Sequence, residues 1–133
     1  MRQMVVYATN AKISFANIPR VCGLKFFCNS MDRIDKLKEF LLANPADSFV
    51  QHALALEYIK LDRDTEAKTL FESILEREPG YIGTYYHLAK LLERMGETGA
   101  AIKVYETGME EAKKTGEDHA FAELKSALEE LIF

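Results

Sequence analysis

Apolar residues recur along most of this chain at helical spacing. Gln51, Leu54, Ala55, Tyr58 and Leu61 follow one another in steps of three and four, so they share one face of a predicted helix. Ala67, Leu70, Phe71, Ile74 and Leu75 form a second stripe, and "LDRDTEA" joins the two as a tight turn. Continued along the chain, the pattern predicts six helices, at about residues 31–43, 48–61, 64–77, 82–95, 98–114 and 117–131. Asp64 is placed to cap the third of these and Thr98 the fifth, while Ser48 with Gln51 reads as a capping box. Pro45 and Pro79 have no N–H to continue a helix, so each belongs in a link between helices.

The pattern repeats. Shifted by 34 residues, Leu54 falls on Leu88, Ala55 on Ala89, Ala67 on Ala101, Phe71 on Tyr105 and Tyr58 on Leu92. In the other direction Pro45 falls on Pro79, Leu37 on Phe71 and Phe40 on Ile74. Such a period is the mark of a helical solenoid, in which each helix pair buries its face on the next. Small Ala55 beside Leu54 lets a partner helix come close, and Ala67 does the same on the second helix of the pair. The segments "LALEY" with "DTEAKTLFESILEREP" and "LAKLL" with "GAAIKVYETGMEE" resemble the tetratricopeptide repeat family. The resemblance covers about residues 31–115. It departs from the family pattern where Gln51 stands in the place held by Tyr85 in the next copy, and where "KKTG" replaces a proline. The fold class expected is all-α: a right-handed, antiparallel helix-hairpin solenoid of about two and a half repeats. In the last helix, Ala122, Leu124, Ala127, Leu128 and Leu131 make an apolar face that caps the array.

Charge divides the chain differently. Residues 1–31 carry Arg2, Lys12, Arg20 and Lys25 and no acidic residue, whereas all 21 acidic residues follow. Residues 1–30 therefore read as a basic, acid-free extension and residues 31–133 as the repeat domain. The extension shows no helical period, and Pro19 and Gly23 interrupt any amphipathic helix. Three readings stay open for it: upstream sequence before a true start at Met31, a targeting segment, or a folded hairpin with "VVYA" and "KISFA" as strands. No secretory signal is recognisable, so a cytoplasmic protein is expected, or an organellar one if residues 1–30 are a transit peptide. Cys22 and Cys28 do not have C-x-x-C spacing and read as ordinary free thiols. No apolar run is long enough for a membrane span, and a net charge of −4 argues against nonspecific nucleic-acid binding.

No enzyme motif is present, and no catalytic residue, cofactor or metal site is expected. His52 and His87 fall on neighbouring helices within reach of each other. A metal or acid/base pair is one reading, and two solvated or groove-lining imidazoles the simpler one, since no further ligand stands at metal spacing. The glutamates Glu106, Glu110 and Glu111 alternate with lysines as a solvated helix face. Function is expected on a surface. In the resembled family the first helix of each pair lines a groove for a peptide or partner helix. Opposite the packing stripe, the first helices here carry Phe49, His52, Leu56, Ile59 and Lys60, then Tyr86, Lys90 and Arg94, with His87 at the border. These residues make an apolar strip beside a basic one, suited to a protein or peptide partner with apolar and acidic groups. The family's Lys/Asn clamp for acidic chaperone tails is not matched, because His52 and Leu56 stand at its opening positions. The alternative is a self-associating structural component, a homo-oligomer using Ile132, Phe133 and the same apolar groove.

Overall fold

The computed structural model describes the backbone of residues 21–133 and the side chains of residues 31–133. The chain divides into two units, Met1–Asp35 and Lys36–Phe133. Among the described residues there are six helices and no strand: α1 (Val21–Ala43), α2 (Ser48–Lys60), α3 (Asp64–Arg77), α4 (Ile82–Arg94), α5 (Thr98–Thr115) and α6 (Asp118–Ile132). The two strands considered for the N-terminal segment, and the side chains of Cys22 and Cys28, lie outside the described residues.

The first helix corrects one expectation. It starts at Val21 and runs through Gly23 and Met31 without a break, ten residues earlier than the period predicted. Pro19 lies outside the described residues, and a glycine in the first turn costs at most about 1 kcal/mol. The other helices end within about two residues of their expected limits.

From α2 onward each helix packs on the next, as α2/α3 and α4/α5 hairpins, with α6 against α5 and touching α4. The expected stripes form the core. Ala55, Ala67, Ala89 and Ala101 have no exposed surface at all, nor do Phe71, Ile74 and Tyr105. Leu54, Tyr58, Tyr85, Leu88 and Leu92 are buried beside them. On α6, Leu124 and Ala127 are buried, but Ala122 is exposed and Leu128 and Leu131 are only half-buried. The apolar face of α6 is thus narrower than the sequence suggests, because only α5 and part of α4 cover it.

The two hairpins turn alike. Arg63 N–H donates to the Tyr58 carbonyl at 2.9 Å, and 34 residues on Glu97 N–H donates to Leu92 at 2.8 Å. The left-handed residue this turn requires is Asp62 (φ 57°) in the first copy and Gly96 (φ 84°) in the second. Aspartate is among the few side chains that tolerate that region. This geometry brings the chain into the next helix one residue early, so the cap assignments change. Asp64 and Thr98 are the first helical residues, and the caps Arg63 and Glu97 make no side-chain cap bond. At α2 the cap is Asp47, whose Oδ1 accepts from Val50 N–H at 3.1 Å. Ser48 and Gln51 instead hold Arg77 from the end of α3: its Nη2 donates to Ser48 Oγ at 3.1 Å and to Gln51 Oε1 at 2.9 Å.

The copies also exchange bulk. Where the first has Gln51 and Ile74, the second has Tyr85 and Gly108. Gly108 is needed there: a Cβ at that position would stand 2.7 Å from Tyr85 Cβ and 3.1 Å from Leu124 Cδ1. Tyr85 in turn donates its hydroxyl to the Pro79 carbonyl at 2.9 Å, fixing the link between hairpins. Gly108→Ala is expected to destabilise the domain by about 1–3 kcal/mol through overpacking. Gly83→Ala, a helical position with nothing within 4 Å, should be neutral or stabilising by up to about 1 kcal/mol. Urea denaturation of the two variants checks both signs.

A candidate partner groove between α2 and α4

The first helices of the two hairpins leave a cavity of about 250 Å3 between them. Leu56 and Ile59 line it from α2, and His87, Lys90, Leu91 and Arg94 from α4. The arrangement follows from helical spacing: Leu56 and Ile59 are three apart, as are His87 and Lys90, so each pair stands on one face. Of the remaining candidates, His52 adjoins the cavity through His87, their ring centroids 5.2 Å apart. Tyr86 stands edge-on to His87 at 5.8 Å but opens into a different cavity, toward α6. Phe49 and Lys60 are not part of the lining: Phe49 is 72% exposed, and Lys60 pairs with Glu57 at 2.9 Å.

The histidines sit in an aromatic cluster. His52 lies 5.3 Å from the Phe71 ring and 5.7 Å from that of Tyr81, and His87 stacks on Phe71 at 6.3 Å. His52 Nδ1 and the buried Thr84 hydroxyl share a hydrogen bond of 2.9 Å. Burial, with His87 nearby, pushes His52 down to about 4, and burial also lowers His87. Both are thus neutral near pH 7, and the pair does not contribute positive charge to the groove. Among the described residues no group of three or more His, Cys, Asp or Glu is placed to hold a metal ion.

The basic strip is largely spoken for. Arg94 Nε donates to Asp64 Oδ2 at 3.0 Å, a second contact joins Arg94 Nη2 to Asp64 Oδ1, and Nη2 also reaches the Ile59 carbonyl at 3.3 Å. The Asp64 carboxylate raises the guanidinium further above its usual range. Arg94 therefore ties α4 to the start of α3 while also lining the cavity. Lys90 pairs with Glu93 at 3.2 Å, and Glu93 also accepts from the Tyr105 hydroxyl at 2.7 Å. Sequence patterning did not single out Leu91, Thr84 or the tie between Asp64 and Arg94. Leu91 sits next to the packing residue Leu92 in a continuous apolar pair. Asp64 and Arg94 are 30 residues apart, and no local rule joins them.

Helices paired into hairpins, stacked in one direction and turned alike every 34 residues, define a helical-repeat protein. A family model for the tetratricopeptide repeat matches residues 62–128, and the chain belongs to that family. The solution structure of a tetratricopeptide repeat domain protein from Salinibacter ruber is similar at 42% identity. It aligns over 67% of this chain and 90% of its own, with a TM-score of 0.65. A crystal structure of a domain from the same organism aligns over 64% and 94% at 42% identity, with a TM-score of 0.61. The TPR2B domain of yeast Sti1, in its complex with pHsp70, shares the fold at 17% identity, over 84% of this chain and 91% of that one, with a TM-score of 0.70. No curated protein matches the chain. The family's fold in general mediates protein–protein interaction, and its members are in general not enzymes. Among the described residues no helix is long and apolar enough to cross a membrane.

The depressed His52 has a consequence for stability. Above about pH 6.5 the imidazole is neutral in both the folded and unfolded chain. As pH falls from there toward about 4, the unfolded chain takes up the proton first, so stability declines through that window. His52→Gln should flatten this part of the pH dependence, as measured by urea midpoints across the window.

Proposed function

We propose that this domain is a protein-interaction module, an adaptor or scaffold, whose groove between α2 and α4 seats a peptide or a partner helix. It works by surface recognition and not by chemistry. The observation that carries this reading is the cavity whose apolar lining, Leu56, Ile59 and Leu91, lies between two helices whose opposite faces are buried in the core. Apolar side chains of the ligand anchor there, as in other helix-groove and extended-peptide recognition. Lys90 is the cation at the rim that an acidic ligand group can reach by competing with Glu93. Arg94 also lines the groove, with Asp64 engaging its guanidinium.

A second reading, self-association, draws on the exposed apolar side chains Phe40, Leu42 and Phe49 beside the α1–α2 link and Ile132 and Phe133 at the end of α6. A monomer mass that does not change with concentration removes it.

The groove reading is tested by selecting short peptides from a random display library on the wild-type domain. Their affinities are then measured on Leu56→Asp with Lys90→Glu, leaving Arg94 in place so that the hairpins stay tied. Binding should weaken by about tenfold or more, while circular dichroism and the melting temperature of the variant stay near wild type. Unchanged affinity in a folded variant rejects the groove.

A further inference from the structure

On the other side of α4 lies a second cavity, of about 390 Å3, walled by Tyr86 and by Glu123, Ser126, Ala127 and Glu130 of α6. Glu123 and Glu130 are seven residues apart, so they stand on one face of α6 about 10 Å from each other, with Ser126 and Ala127 as the floor between. Tyr86 stands over this floor from α4. Its ring is in contact with His87, which lines the first cavity, so a ligand crossing α4 meets both.

The two cavities differ in charge state. In the first, each cation already has a carboxylate: Glu93 for Lys90, and Asp64 for Arg94. In the second, among the described residues, no lysine or arginine is paired with either glutamate. Glu123 lies 3.0 Å from the exposed His119 imidazole. Lys125 is turned toward Glu129, at 3.7 Å. Among the described residues no cation is paired with Glu130. The excess of acidic over basic residues after position 31 adds to the attraction this end exerts on a cation.

We infer that the groove takes a two-ended ligand: apolar side chains over Leu56, Ile59 and Leu91, and a lysine or arginine in the cavity between α4 and α6. The long stem of that side chain lies along the Tyr86 ring, and its head sits between Glu123 and Glu130. An aromatic face and two carboxylates suit such a cation, and neither suits an anion. The inference rests on the groove reading above and adds the charge and the order of the ligand's groups.

The test uses the same random-peptide display, run in parallel on wild type, on Glu123→Gln with Glu130→Gln, and on a control with Glu106→Gln and Glu110→Gln on α5. The cavity glutamates are exposed, so the substitutions leave the core intact. Peptides from wild type and control should be enriched in Lys or Arg as well as in apolar residues. On the cavity variant the apolar enrichment should persist and the Lys/Arg enrichment vanish. A wild-type peptide should bind the cavity variant about fivefold more weakly, with a shallower salt dependence. Apolar enrichment with no Lys/Arg preference in wild type, or with the same preference in the cavity variant, overturns this inference and leaves the groove standing. Failure of the wild type to select any peptide overturns both.

Discussion

Two short helices joined by a tight turn cannot bury their apolar faces unless their backbones come close, and four alanines make that approach. Ala55, Ala67, Ala89 and Ala101 are entirely buried, one on each helix of the two hairpins. A larger side chain at any of them would hold two helices apart and expose the leucines and aromatics alongside. The rest follows from that contact. With the hairpins closed, Phe71 and Tyr105 fill the space between neighbouring helices, and the first helices are left side by side with their outer faces free. The candidate groove is thus a by-product of how the core closes.

Polar contacts then set how the helices sit on one another, both within a hairpin and between hairpins. Arg77 ties the end of α3 to the start of α2, and Arg94 ties the end of α4 to the start of α3. Tyr85 reaches the Pro79 carbonyl in the link. Each involves an exposed or half-exposed polar group, so each contributes modestly to stability, on the order of 1 kcal/mol or less. Their effect is geometric. Arginine's planar fork fixes direction as well as distance, and Arg94 does so in the lining of the cavity between α2 and α4.

The helices and their pairing were legible in the residues because they depend on local spacing. The three-and-four period placed Leu54, Ala55, Tyr58, Leu88, Ala89 and Leu92 in the core, and the 34-residue shift showed the hairpins to be copies. What a local rule misjudged was mostly polar. Asp64 has the chemistry of a cap, yet it stands one residue inside the helix and grips Arg94. Ser48 and Gln51 read as a capping box and serve Arg77 instead. A charged or amide side chain has several partners open to it at similar cost, and only the folded geometry selects one.

The same division explains the candidate site. Apolar pattern and period alone dictate the hairpins, their order and the fact that Leu56 and Ile59 face away from the core, because burial of a stripe depends on spacing along one helix. The three-dimensional fold decided which residues meet across helices. It brought the buried Leu91 to the lining of the groove, moved Tyr86 to a second cavity beside Glu123 and Glu130, and left Phe49 in the open. It also decided that Gly108 must be small where Ile74 is large, since Tyr85 occupies the space that Gln51 leaves free. These outcomes depend on distances between residues far apart in the chain. Such distances are set by how closely the helices approach, a quantity that no single stretch of sequence carries.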